Sequence, residues 1–185
     1  MTQAKDTKDS NAGLPKGKQT SLGLYLTAAQ AYDKWKSNPE AVTILDVRTP
    51  EEFIYVGHAE MAWNIPVIVH AHQWEPSKPA LKMVFNPDFI AQAKAHFKPD
   101  DALLVMCRSG GRSAKSVDLL AQAGFKNVHN IVDGMEGDLV EDPESLFNGK
   151  RLKNGWKNSG LPWTYAVDPK KVCLPSIFVE TRASK

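Results

Sequence analysis

Cys107 opens the run Cys107-Arg108-Ser109-Gly110-Gly111-Arg112-Ser113, which sets one nucleophilic side chain beside two cations and two glycines. A cysteine attacks as its thiolate, so its surroundings decide whether it is reactive or inert. Ala102 to Met106, just before it, form a short continuous apolar run, the pattern of a strand buried on both faces. Just after it, Ala114, Val117, Leu120 and Ala121 recur at helical spacing, and Gly124 supplies a stop. A cysteine that leaves a strand and faces a helix N-terminus meets backbone N–H groups and the positive end of a helix dipole. Both favour thiolate over thiol. Arg108 and Arg112 add positive charge, and Gly110 and Gly111 let the backbone turn its N–H groups inward. The expected object is an anion cradle built around a nucleophile.

The plainer reading is a buried, inert thiol, a common fate of free cysteine. It accounts for the apolar strand but not for two glycines and two arginines directly after the sulfur. A metal site is not expected: the chain has two cysteines, Cys107 and Cys173, with no Cys-x-x-Cys and no histidine at ligand spacing from either. Cysteine phosphatases use a loop written Cys-x5-Arg to hold a tetrahedral phosphate. Here only four residues separate Cys107 from Arg112. A smaller ring of amides suits a smaller charged group, such as one sulfur atom added to the cysteine.

Other segments strengthen this reading. Asp46-Val47-Arg48-Thr49-Pro50-Glu51-Glu52-Phe53, Gly57-His58-Ala59, Asn64-Ile65-Pro66, Phe125-Lys126-Asn127-Val128, Gly155-Trp156 and Gly160-Leu161-Pro162 follow in order. Together with the Cys107 loop they resemble the rhodanese family of sulfurtransferases over about residues 24–165. The resemblance implies that Cys107 is catalytic and that Arg108, Ser109, Gly110, Gly111, Arg112 and Ser113 bind substrate and stabilise a cysteine persulfide. Asp46 and Arg48 are expected to support the loop by fixing the neighbouring strand end. Either loop arginine would attract an anionic donor, or one would anchor the loop through a carboxylate such as Asp46 or Glu51. The implied donor is a small anion such as thiosulfate, or a persulfide. The implied acceptor is cyanide, a small thiol or a protein cysteine, with no cofactor beyond the covalent persulfide. Two rivals remain: a sulfur-carrier or binding module of low turnover, and a cysteine phosphatase or arsenate reductase.

At 185 residues the chain suits one well-buried domain. A net charge of +2 without a basic stripe gives no reason to expect nucleic acid as a partner. No apolar run approaches the ~20 residues of a membrane span. Met1 to Thr20 carry Lys5, Lys8, Lys16 and Lys18 but no apolar h-region. A soluble, cytoplasmic protein is expected, or a periplasmic one if Met1 marks a trimmed start. Two cysteines make no disulfide framework. Cys173, in Val172-Cys173-Leu174-Pro175, reads as a small apolar residue packing the tail, or else as a resolving or sulfur-accepting thiol.

The elements that must position Cys107 alternate between strand and helix. Residues 1–20 read as a flexible leader, 21–167 as a single domain and 168–185 as a tail. Within the domain, Leu24 to Leu26 is a first strand, and Thr27 caps a helix bearing Ala28, Ala31, Tyr32 and Trp35 on one face. Val42 to Val47 is a buried strand, and Thr49-Pro50-Glu51-Glu52 starts a helix. Ala62 to Ile65 is another strand, and Asn86-Pro87 starts a helix with Ile90, Ala93 and Phe97 inward. Strand 102–106, helix 113–123 and strand 128–131 complete the pattern. The expected fold is α/β, a central parallel sheet of about five short strands with helices on both faces. Ligands then sit beyond the carboxyl ends of the strands, where Cys107, Asp46 and Arg48 all fall. Insertions near 67–85 and 135–154 depart from a minimal domain. The first is expected to be a loop with exposed His70 and His72, acting as a lid or wall. The second, acidic one is expected to hold a short helix near Pro143.

Overall fold

A computed structural model describes residues 13–178. In chain order the elements are β1 (Tyr25–Leu26), α1 (Ala28–Ser37), β2 (Val42–Asp46), β3 (His58–Ala59), β4 (Trp63–Asn64), β5 (Ile68–Trp74), β6 (Leu81–Phe85), α2 (Phe89–His96), β7 (Ala102–Met106), α3 (Gly111–Gln122), β8 (Val128–Ile131) and β9 (Trp163–Thr164). Five of the strands form one sheet in the order β1-β8-β7-β2-β4, every pair parallel. The expected α/β class, strand count and parallel sense all hold.

Side-chain alternation along the central strand divides the core in two. Leu103, Val105 and Cys107 face one layer with Leu45, Val47, Phe89, Ala93, Val117, Leu120 and Phe125. Leu104 and Met106 face the other with Ala28, Ala31, Ile44, Phe53, Met135 and Trp156. Helices α2 and α3 therefore cover one face, and α1 with the Trp156 segment covers the other. Thr27 caps α1 as expected, in a capping box: its hydroxyl accepts from Gln30 N, and the Gln30 side chain accepts from Thr27 N. In α3 the buried positions are Ser113, Ala114, Ser116, Val117 and Leu120.

Several expectations need correction. The helix begun at Pro50 winds into a π-turn over Glu52–Val56. Helix α2 starts at Phe89, two residues after Pro87, because Asn86 spends its side chain on a turn: Oδ1 accepts from Asp88 N at 2.9 Å while Nδ2 donates to Pro66 O at 2.7 Å. The first insertion is not a loop but an antiparallel hairpin, β5 on β6, turned at Glu75–Ala80. Its register slips between His70 and Trp74, and His72 takes φ +52, so the two histidines do not share a regular strand face. The second insertion forms turns with no helix at Pro143.

The leader also differs from the expectation, whereas the tail packs on the domain. Residues 13–20 pack on it: Lys16–Lys18 form a 3₁₀ turn, Lys18 Nζ meets Asp138 Oδ1 at 2.7 Å, and Thr20 is buried. Residues 1–12 of the expected leader lie outside the described residues. At the other end Val172 bridges Asn64 in parallel, Cys173 N donates to Asn64 O at 2.9 Å, and Ser176 N donates to Asp88 Oδ2 at 2.7 Å. The tail thus extends the sheet beyond β4.

Candidate active site

Cys107 directly follows β7 and is 1% exposed, with its Sγ turned toward the start of α3. Two groups approach the sulfur: Gly110 N donates to it at 3.2 Å, and Ser113 Oγ lies 3.4 Å away. Gly110 reaches this position with φ +96, and a Cβ there would stand 2.2 Å from Val132 O. Both the backbone angle and the close approach therefore demand glycine. The other side of the loop is clamped by the turn after β8. Met135 N donates to Cys107 O at 2.8 Å and Glu136 N to Arg108 O at 2.9 Å. Gly134, at φ +61, lets that turn pass so near that a Cβ would lie 2.5 Å from Cys107 O.

The two loop arginines part company. Arg112 makes a two-pronged pair with Glu52, Nη1 to Oε2 and Nη2 to Oε1, each 2.6 Å. Glu52 in turn accepts from Thr49 N at 3.0 Å. Burial pushes the Glu52 carboxyl upward, but the bonds and charge of Arg112 outweigh it and hold the group below its ordinary value. Arg112 is thus the anchoring arginine, and its carboxylate is Glu52 rather than Asp46 or Glu51. Arg108 is exposed and makes no ion pair among the described residues. Ser109 lines a cleft of about 610 Å³ between the Lys18 turn and the second insertion, where Asp138, Glu141, Arg151 and Lys153 also stand.

Asp46 and Arg48 sit at the end of β2, one strand from Cys107, and both are fully buried. Arg48 Nε and Nη2 donate to Asp46 at 2.7–3.0 Å, and Nη2 also reaches Gly57 O at 2.8 Å. Asn64 Nδ2 donates to Asp46 O and Arg48 O, each at 3.0 Å, tying β4 to the same corner. The pair contacts neither Cys107 nor the loop directly; it braces the strand end beside them. His58 belongs to this brace, stacked on Phe53 at 3.7 Å with Nδ1 3.0 Å from Phe53 O.

Two residues that the sequence reading passed over complete the site. Asn130, buried on β8, joins Ser113, Gly110 and Lys18 through its side chain. Asp133 accepts from Ala28 N at 2.7 Å and Gly155 N at 3.1 Å, fixing the start of α1 and the approach to Trp156. An asparagine in a short strand, between His129 and Ile131 beside the loop, is the signal that could have found the first. Trp156 keeps its core position despite the insertion: it is fully buried, packed edge-on against Tyr32, with Nε1 donating to Pro162 O at 2.8 Å.

Cys173 packs against the Cys107 core layer. Register pairs Met106, Asp46, Asn64 and Val172 on one rung of successive strands, and Cys107 and Cys173 each follow by one residue. Three strand spacings of ~4.8 Å put the two cysteines ~14 Å apart, beyond the ~7 Å that a disulfide spans. Burial also pushes the Cys173 thiol above its ordinary value. The resolving-thiol reading gives way to the packing one.

A parallel α/β sheet that carries a cysteine-headed loop at its carboxyl edge defines a class of cysteine-dependent group-transfer folds. The chain belongs to the rhodanese-like domain family, whose model matches residues 27–139. It is 46% identical over 90 residues to thiosulfate sulfurtransferase 16, chloroplastic, of Arabidopsis thaliana, covering 49% of this chain and 68% of the relative. It is 31% identical over 140 residues to the uncharacterized protein RP600 of Rickettsia prowazekii, covering 76% and 96%. Among solved structures, the Rv0390 protein of M. tuberculosis aligns with TM-score 0.60 and 26% identity, over 76% of this chain and 96% of that one. These matches place the chain in a sulfurtransferase family. Among the described residues, no helix is long and apolar enough to cross a membrane.

Proposed function

We propose that the protein transfers a sulfane sulfur through a persulfide on Cys107. The observation that carries this is the Gly110 N–H directed at Cys107 Sγ from a loop closed by Arg112 after four intervening residues. In the first half-reaction the Cys107 thiolate attacks the outer sulfur of thiosulfate. A new S–S bond forms, the old one breaks, and sulfite leaves with the electron pair. In the second, a nucleophile attacks the outer sulfur of the persulfide, and the electron pair returns to Cys107 Sγ. The N-terminus of α3 and the Gly110 amide supply positive charge where the anions form, and the exposed Arg108 draws an anionic donor toward the loop. Arg112 contributes by holding the loop through Glu52, its charge already matched. The cleft beside Ser109, lined by both basic and acidic side chains, gives a small thiol a place to wait as acceptor. No cofactor enters this route.

The test is steady-state turnover with thiosulfate and, in turn, cyanide and a small thiol. Sulfite release beyond one equivalent that requires both substrates supports the reading, and its absence with every donor and acceptor contradicts it. A second reading keeps a place in the assay. The chain is 40% identical over 91 residues to protein HIGH ARSENIC CONTENT 1, mitochondrial, of Arabidopsis thaliana, covering 48% of that relative. Arsenate and an aryl phosphate are therefore run beside thiosulfate. Consumption of either, without sulfite release from thiosulfate, replaces the proposal.

A further inference from the structure

Asn130 is fully buried, and its side chain stands between the leader, the loop and α3. One terminal atom lies 2.9 Å from Lys18 O and 3.1 Å from Gly110 O. Carbonyl oxygens only accept, so this atom is the amide nitrogen and both of its protons are used. The other atom is then the carbonyl oxygen, 2.6 Å from Ser113 Oγ, and it too can only accept. The single proton of the Ser113 hydroxyl therefore points at Asn130. What Ser113 turns toward Cys107 Sγ, 3.4 Å away, is a lone pair.

That orientation favours one protonation state of the sulfur. A thiol S–H can donate to the Ser113 lone pair, whereas a sulfur anion gains nothing from it. Only the Gly110 amide is aimed at the sulfur as a donor among the described residues. We propose that Asn130 is a positioning residue that withholds the Ser113 proton from Cys107, so that Ser113 serves the resting thiol as an acceptor. The charged groups nearest this sulfur are Arg112 from α3, held by Glu52, and, without direct contact, the Asp46–Arg48 pair at the end of β2. None is altered in the variants below.

The inference rests on Cys107 being the reactive thiol, as in the proposed function, but not on any transfer of sulfur. It is read by the pH profile of Cys107 alkylation with iodoacetamide, followed on the Cys107 peptide so that Cys173 does not contribute. Asn130→Ala frees the hydroxyl to donate to the anion. Alkylation near neutral pH should rise about tenfold, the worth of one hydrogen bond to a charged group, with the profile displaced to lower pH. In a Ser113→Ala background the same change should have no such effect. A rise that persists without Ser113 reports a loosened loop and overturns the proposal. Ser113→Ala alone leaves the Asn130 bonds to Lys18 and Gly110 intact, so it decides the matter even if Asn130→Ala does not fold. It should leave alkylation equal or faster, and a slower reaction displaced to higher pH overturns the proposal. A native Cys107 that resists alkylation at every pH contradicts the proposed function as well.

Discussion

Two arginine–carboxylate pairs stand near the Cys107 loop, one at the end of β2 and one joining α3 to the turn after β2, and they differ in what surrounds them. Asp46–Arg48 is sealed, with both side chains 0% exposed, and Arg48 Nη2 also donates to Gly57 O. Arg112–Glu52 lies at the rim, about one-fifth exposed on each side, and links α3 to the π-turn after β2. The same chemistry does two jobs. A sealed pair costs much to desolvate and more to break, so it fixes a corner of the fold. A rim pair is screened by water and contributes little to stability, but it sets where the N-terminus of α3 sits relative to the sulfur.

The largest expected effect follows from breaking the sealed pair. Asp46→Asn leaves the Arg48 charge buried without compensation and should cost about 3–5 kcal/mol, measured by denaturant unfolding. A loss below about 1 kcal/mol would remove the distinction between the pairs. Glu52→Gln should cost only about 1 kcal/mol. Its larger consequence should be slower sulfur loading, because Arg112 loses its anchor and α3 its position. Equal loading by Glu52→Gln and the native protein would make the rim pair ornamental.

Acid sharpens the contrast with smaller effects. His129 is buried on β8, and burial lowers its pKa from 6.5 to about 4. The unfolded chain therefore binds a proton that the folded one refuses, and stability should fall as pH drops from 6.5 toward 4. His129→Phe should flatten that stretch of a stability-against-pH curve. Glu52 acts in a lower window. Its folded pKa lies below the ordinary 4.5, so its contribution is complete above that value and is lost as pH falls through the depressed one. Glu52→Gln should reduce that last slope. Asp88 and Asp138, also held below their ordinary value by Ser176 and, against burial, by Lys18, supply the rest. An unchanged slope would assign it wholly to other carboxyls.

The sheet and the Cys107 loop were legible because their signals are local. Ala102 to Met106, the glycines at 110 and 111, and the Val117–Leu120 stripe lie within about twenty residues of one another. The Arg112–Glu52 pair spans 60 positions, and the Asn130–Lys18 contact spans 112. Spacing along the chain does not report such pairs. The β5–β6 hairpin was partly visible: Ile68-Val69 and Met83-Val84-Phe85 flank a turn holding Pro76 and Pro79. The packing of residues 13–20 was hidden for a different reason. Their few apolar side chains suggest disorder, but backbone carbonyls and one lysine pair hold them.

The central claim is that Cys107 itself carries the sulfur. Intact-mass measurement of the protein after brief exposure to thiosulfate tests it most directly, with Cys107→Ser and Cys173→Ser treated in parallel. The account predicts a gain of one sulfur atom in the native protein and in Cys173→Ser, removed by a reducing thiol, and no gain in Cys107→Ser. Retention of the added sulfur by Cys107→Ser would contradict it.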